Sequence, residues 1–267
     1  MKHSVGPKTG PRALRRLTIL FILGELISGA AQATVLQFDQ TRSAATGTTV
    51  EPVYAGADLP QDYGDRVGGS PQTVSGGQYT YGNEGEGFTP NVEIAYSLGI
   101  PTASGEVQMW PFGYGGLTNV VFGTPGSQQI NIQFSADPGY SVLLHGFDLA
   151  GYPGADYTIN GVAVLEGANT LFSQFNVLVG GDGFGQPFTH FEFSTPLSGN
   201  SLTLQIDYAN IASGQQDNIG LDNLRFSQFP SPVPEPSSWA YLLSGIGLVA
   251  WAVRKQGRHA FPVWQSN

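Results

Sequence analysis

Apolar and polar residues alternate with a period of two through much of this chain. The cleanest instance is Leu202-Thr203-Leu204-Gln205-Ile206, and Phe188-Thr189-His190-Phe191-Glu192-Phe193 keeps the rhythm less strictly. Successive side chains of a strand point to opposite faces, so such runs set one face on a core and the other in water. Comparable runs at 34–38, 92–96, 117–122, 129–134, 141–149, 157–165, 201–208 and 219–226 are punctuated by Gly, Pro, Asn and Asp. Asn160-Gly161, set between 157–159 and 162–165, reads as a two-residue hairpin turn. Leu171, Phe172, Phe175 and Leu178 predict a short helix over 170–179, the one helical candidate between the two ends of the chain. Residues 40–90 are rich in Gly, Ser, Thr and Pro and read as long loops with one or two short strands. No repeat of about 20–50 residues is present, which argues against a solenoid or propeller. Together these runs predict an all-β fold, a two-sheet antiparallel β-sandwich of jelly-roll type.

Both ends of the chain depart from this rhythm. Lys2, Lys8, Arg12, Arg15 and Arg16 precede a continuous apolar run at 17–27, and Ala31-Gln32-Ala33 supplies the small-x-small pattern that signal peptidase cuts. Residues 1–33 therefore read as a signal peptide, with an uncleaved N-terminal anchor as the alternative. At the other end, 237–253 holds 17 residues without a charge, followed by Arg254, Lys255 and Arg258. As a helix that span extends about 25 Å at 1.5 Å per residue. A bilayer core is about 30 Å thick, so 237–253 reads as a short transmembrane helix with a basic cytoplasmic tail at 254–267.

Charge narrows the partners of what lies between. Residues 34–230 hold Arg42, Arg66 and Arg225 against 18 of the 20 acids, a net charge of −15 with no lysine. Such a surface repels phosphate backbones and excludes nucleic acid as a partner, while it suits divalent cations. The chain has no cysteine, so an exported body must rest on a packed core rather than a disulfide framework.

A Pro-rich linker at 231–236 joins this body to the apolar span. Pro232, Pro234 and Pro236 hold the backbone extended and present Glu235 on a stiff strand. Val233-Pro234-Glu235-Pro236, the apolar span and the basic stop, in that order, resemble the PEP-CTERM sorting tail of Gram-negative bacteria. The resemblance implies export, anchoring in the inner membrane by the C-terminal helix, and processing by exosortase, a membrane cysteine protease that reads the Pro-Glu-Pro element. It further implies a place at the cell surface or in an exopolysaccharide matrix. The resembled tails usually end soon after their basic cluster, whereas this chain continues through 260–267.

Within the body, 217–226 resembles the closing strand of jelly-roll sandwiches, including carbohydrate-binding modules and many PEP-CTERM passengers. Asp222-Asn223 interrupts its alternation and predicts a bulge or an inward carboxylate. Two readings stay open: Asp222 and Asn223 hydrogen-bond backbone at a kink, or they hold structural calcium. In the resembled sandwiches the first and last strands pair, which would bring Asp39 to the same site. For ligand binding the candidates are Trp110, Tyr114 and Tyr152, rings on Gly- and Pro-rich loops able to stack on sugar faces. The plainer reading of Trp110 is a plug at one end of the core. His145 and His190 lie in strand-like runs with no metal spacing, the body has no Gly-x-Ser-x-Gly elbow, and Gly180–Gly185 lacks a phosphate fingerprint. Glu84 and Glu86 lie in a Gly-rich loop. The expectation is a non-enzymatic structural or carbohydrate-binding surface protein, with no catalytic residues. The alternative is an extracellular hydrolase of matrix polysaccharide.

Overall fold

The computed structural model describes residues 33–42, 50–68, 74–75, 78–79, 87–99, 106–181 and 187–231. The expected signal peptide up to residue 32, Glu84 and Glu86, most of the 180–185 loop, the sorting motif, the apolar span and the basic tail lie outside the described residues. Among the described residues no helix is long and apolar enough to cross a membrane.

Every described element is a strand except a single 3-10 turn at Gln216–Asn218. β1 is Thr34–Leu36, and the segment predicted as loops carries seven very short strands, of which the first six are β2 (Gln40–Arg42), β3 (Val50–Pro52), β4 (Ala57–Asp58), β5 (Val67–Gly68), β6 (Val74–Ser75) and β7 (Gln78–Tyr79). β8 (Phe88–Thr89), β9 (Val92–Leu98), β10 (Gln108–Trp110) and β11 (Val120–Phe122) follow. The long strands then run in succession: β12 (Gln129–Ala136), β13 (Tyr140–Gly151), β14 (Tyr157–Glu166), β15 (Asn169–Val179), β16 (Thr189–Gly199), β17 (Ser201–Asp207) and β18 (Ile219–Pro230). They form two antiparallel sheets, ordered β16-β13-β18-β11-β10-β4 and β15-β14-β17-β12-β9, with β1 also on β18. The last eight strands thus divide as first, eighth, third, sixth in one sheet and second, seventh, fourth, fifth in the other.

The two sheets share one core. Ile130, Ile132 and Phe134 of β12, Leu202, Leu204 and Ile206 of β17, and Leu224 and Phe226 of β18 are all buried in it. Phe134 of one sheet meets Phe226 of the other with ring centroids 5.3 Å apart, and Phe172 meets Phe193 at 5.1 Å. Each such side chain removed from water contributes about 1.5–3 kcal/mol, which is how a chain without disulfides holds together.

Two local expectations are corrected. Residues 170–179 form strand β15, not a helix, and pair along β14 from Asn169 to Val179. Of the residues whose spacing predicts that helix, Leu171, Phe175 and Leu178 are solvent-exposed, while Val177 and Val179 enter the core. Asn160-Gly161 lies inside β14; the hairpin turn falls at Gly167-Ala168, where Gly167 adopts φ +57°. Glycine is needed at 161 for another reason, since a Cβ there would stand 2.5 Å from the Gln174 carbonyl oxygen of the adjoining strand. The run at 117–122 is strand only from Val120, because Asn119 turns the chain with φ +60°.

Candidate functional site

The interruption at Asp222-Asn223 is a bulge. Between the pairs Asp148↔Asp222 and Gly146↔Arg225, β18 has two residues where β13 has one. Asn223 takes up the surplus with φ +51°, a region that asparagine tolerates better than most residues. One flank of β18 is shared by two short strands, β11 opposite Gly220 and Leu221 and β1 opposite Leu224 to Phe226. Residues 222 and 223 therefore fall at the junction and line a pocket of about 270 Å³ with Gln37, Asp39, Leu117, Asn119 and Phe188. Pairing of β1 with β18 brings Asp39 there, as the resemblance implied.

Electrostatics in the pocket are set by burial. Asp222 is only 5% exposed. Loss of water, with Asp148 and Asp39 nearby, pushes its carboxyl up to about 8, against the pull of the Asn223 N–H that donates to Oδ1 at 2.6 Å. Asp148, also buried, accepts from Asn223 Nδ2 at 2.8 Å and from His190 Nδ1 at 2.5 Å. Beyond His190 the chain of charges runs through Glu192 to Arg225 at 2.6 Å. Sequence reasoning missed Asp148 and Gln37, because nothing in their local pattern reports a partner more than 70 residues away. For a cation the pocket offers the carboxylates of Asp39 and Asp222 with the amide and carbonyl oxygens of Asn223 and its neighbours, all hard oxygen donors suited to calcium. Among the described residues no three His, Cys, Asp or Glu side chains converge as metal ligands, so amide and backbone oxygens would have to complete such a shell.

Trp110, Tyr114 and Tyr152 also come together. They pack with Phe122 on the outer side of the first sheet, in a cluster separate from the main core. Trp110 sits edge-to-face on Phe122 at 6.1 Å and on Tyr152 at 6.0 Å, and Tyr114 lies 5.2 Å from Tyr152. Tyr114 is buried, and its hydroxyl donates to the Asp217 carbonyl; burial pushes that hydroxyl well above the ordinary tyrosine range. The rings spend most of their area on one another, and Phe112 at the rim is the ring most open to solvent. Trp110 plugs no end of the sandwich: Met109 next to it faces the core, so Trp110 faces the other way.

The two histidines are engaged separately. His145 Nε2 lies 2.8 Å from the Ser227 hydroxyl, and burial lowers its affinity for a proton. Ser227 is 2% exposed, and the carboxylates in contact with a histidine, Asp148 and Glu192, serve His190 instead. The arrangement is two pairs rather than a nucleophile, base and orienting acid in series.

Comparison with known proteins adds one finding. Residues 232–257 match the family described as the PEP-CTERM protein-sorting motif. No curated protein and no solved structure matches the chain. The match covers Val233, Pro234, Glu235 and Pro236, the apolar span, and Arg254 and Lys255 of its basic stop, and begins two residues after β18 ends. This chain carries a sorting tail of exosortase substrates.

Proposed function

We propose that this is an exported, non-enzymatic surface protein whose jelly-roll sandwich is delivered by its tail to the cell surface or extracellular matrix, where it binds polysaccharide. The carrying observation is the sorting motif set directly behind the strand that closes the sandwich. In this reading signal peptidase removes 1–33 and 237–253 holds the body at the inner membrane. Exosortase then cuts near Glu235 and frees the body from its anchor. The division of the last eight strands between the sheets supports the jelly-roll assignment, which interleaves its strands in that order.

The hydrolase reading draws on the His145–Ser227 contact. A nucleophile must reach its substrate, and Ser227 is walled in by the sheet. Its hydroxyl and the imidazole satisfy each other across the β13–β18 ladder, which is a structural use of both groups. The test is direct: replace Glu235 by alanine and fractionate the cells. Retention of the full-length chain in the inner membrane is expected, with none in the surface fraction. Normal surface delivery of that variant would remove the basis of this reading.

A further inference from the structure

The outer face of the second sheet carries a groove that neither the sorting tail nor the Trp110 cluster explains. It is a cavity of about 690 Å³ over β12, β17, β14 and β15. Strand register builds its floor in rows. Phe175, Gly161, Asp207 and Gln129 lie side by side on four successive strands, and Ser173, Ala163, Gln205 and Asn131 form the next row. Neighbouring strands are about 4.8 Å apart, so a row crosses about 14 Å, room for a short run of sugar rings.

The chemistry of this floor is unusual for an acidic protein. Carboxamides and hydroxyls dominate it, and Asp207 is its one ionisable side chain. Asp207 Oδ1 is held by Asn160 Nδ2 at 3.1 Å and the Ala209 N–H at 3.0 Å, which fixes the carboxylate and leaves Oδ2 to accept from a ligand. The carboxamide of Gln205 has no hydrogen-bond partner among the described residues. At the β15 end Phe175 stands 77% exposed, the most exposed large apolar side chain among the described residues. Gly161 beside it puts no side chain against the ring. An exposed ring matches the apolar C–H face of a sugar, and an unpaired amide beside a fixed carboxylate matches its hydroxyls. The body's charge of −15 repels a polyanion.

We propose that this face binds a neutral polysaccharide strand, with Phe175 stacking on a sugar ring and Gln205 and Asp207 taking its hydroxyls. The inference rests on the proposed polysaccharide-binding role and moves its site from the Trp110 loop to the opposite sheet.

Affinity electrophoresis and calorimetry test it on the full chain, held in a zwitterionic detergent without a sugar headgroup. The probes are a β-1,4-glucan hexamer, a soluble β-1,3-glucan and a galactomannan, with alginate as the anionic contrast. Wild type should bind at least one neutral glycan and ignore alginate in chelator. Phe175→Ala should weaken binding at least tenfold and Gln205→Ala several-fold, while Phe175→Trp retains it and Trp110→Ala changes it less than twofold. Phe175 is exposed, so its two variants keep the fold, which their unchanged melting temperature verifies; Trp110→Ala loses ring packing on Phe122 and Tyr152 and is compared at a temperature where it is folded. Binding lost in Trp110→Ala and kept in Phe175→Ala overturns this inference but leaves the polysaccharide-binding reading standing. Failure of wild type to bind any neutral glycan overturns both. Self-association that needs Phe175 in the absence of glycan overturns it too, and makes the face a contact between copies.

Discussion

Replacing Asp222 by asparagine keeps the shape of the side chain and removes its ionisable proton. Folding raises this carboxyl from 3.8 to about 8, through burial first and the neighbouring Asp148 and Asp39 second. Between those pH values the folded chain holds a proton that the unfolded chain has released. Its contribution to stability is therefore full below pH 4, falls as pH rises at about 1.4 kcal/mol per unit, and is lost above pH 8. The whole loss is roughly 5 kcal/mol at most, as large as the entire stability of many domains. Asp65, pushed up to about 6 by burial, adds a similar slope below pH 6, and His145 opposes it by resisting protonation. The window from pH 6.5 to 8 belongs to Asp222.

Thermal unfolding in chelator reads this out. For a body of this size 1 kcal/mol moves the melting temperature by about 2–4 °C. Over that window wild type should lose about 5 °C relative to Asp222→Asn, and the variant should be the more stable protein at pH 8. Parallel curves for the two proteins would refute the reasoning. Calcium adds a second arm: an ion held by Asp39, Asp222 and Asn223 replaces the proton, flattens the wild-type slope and adds about 2.7 kcal/mol at 100 times its Kd. An identical slope with calcium and chelator leaves the pocket to the proton.

Three further outcomes follow from the same geometry. Tyr208, whose buried hydroxyl meets Ser127 at 2.8 Å, should cost about 1 kcal/mol as phenylalanine, measured by denaturant midpoint at constant m. Phe134→Ala opens a cavity against Phe226 between the sheets and should cost about 3–5 kcal/mol by the same measurement; a loss below 1 kcal/mol would contradict the packing. The purified protein should hydrolyse neither ester nor polysaccharide substrates at enzyme-like rates, and turnover abolished by His145→Ala or His190→Ala would sink the non-enzymatic reading.

What the sequence displayed of this fold depended on how far each signal reached. Period-two runs such as 202–206 reported strands because alternation is local, and β17 lies where the pattern put it. The Asp222-Asn223 break reported a bulge for the same reason. Strand β15 reads as a helix because it lies at the edge of its sheet with one face in solvent, so Leu171, Phe175 and Leu178 are apolar without being buried. That misreading also hid the groove, since Phe175 appeared as a core residue of a helix. Asn160-Gly161 misled because glycine there admits a neighbouring backbone rather than a turn. The Asp39–Asp222 pocket was half visible through the pairing of first and last strands, but Asp148 and His190 enter only through the ladder of β13 with β18 and β16.

The central claim is that the tail is an address removed after use. Mass spectrometry of the native, surface-released protein tests it without any mutation. The account predicts peptides from Thr34 through the end of β18 and none beyond residue 240. Recovery of the 251–267 peptide, with Trp251 and Asn267 still attached to the released chain, would contradict it.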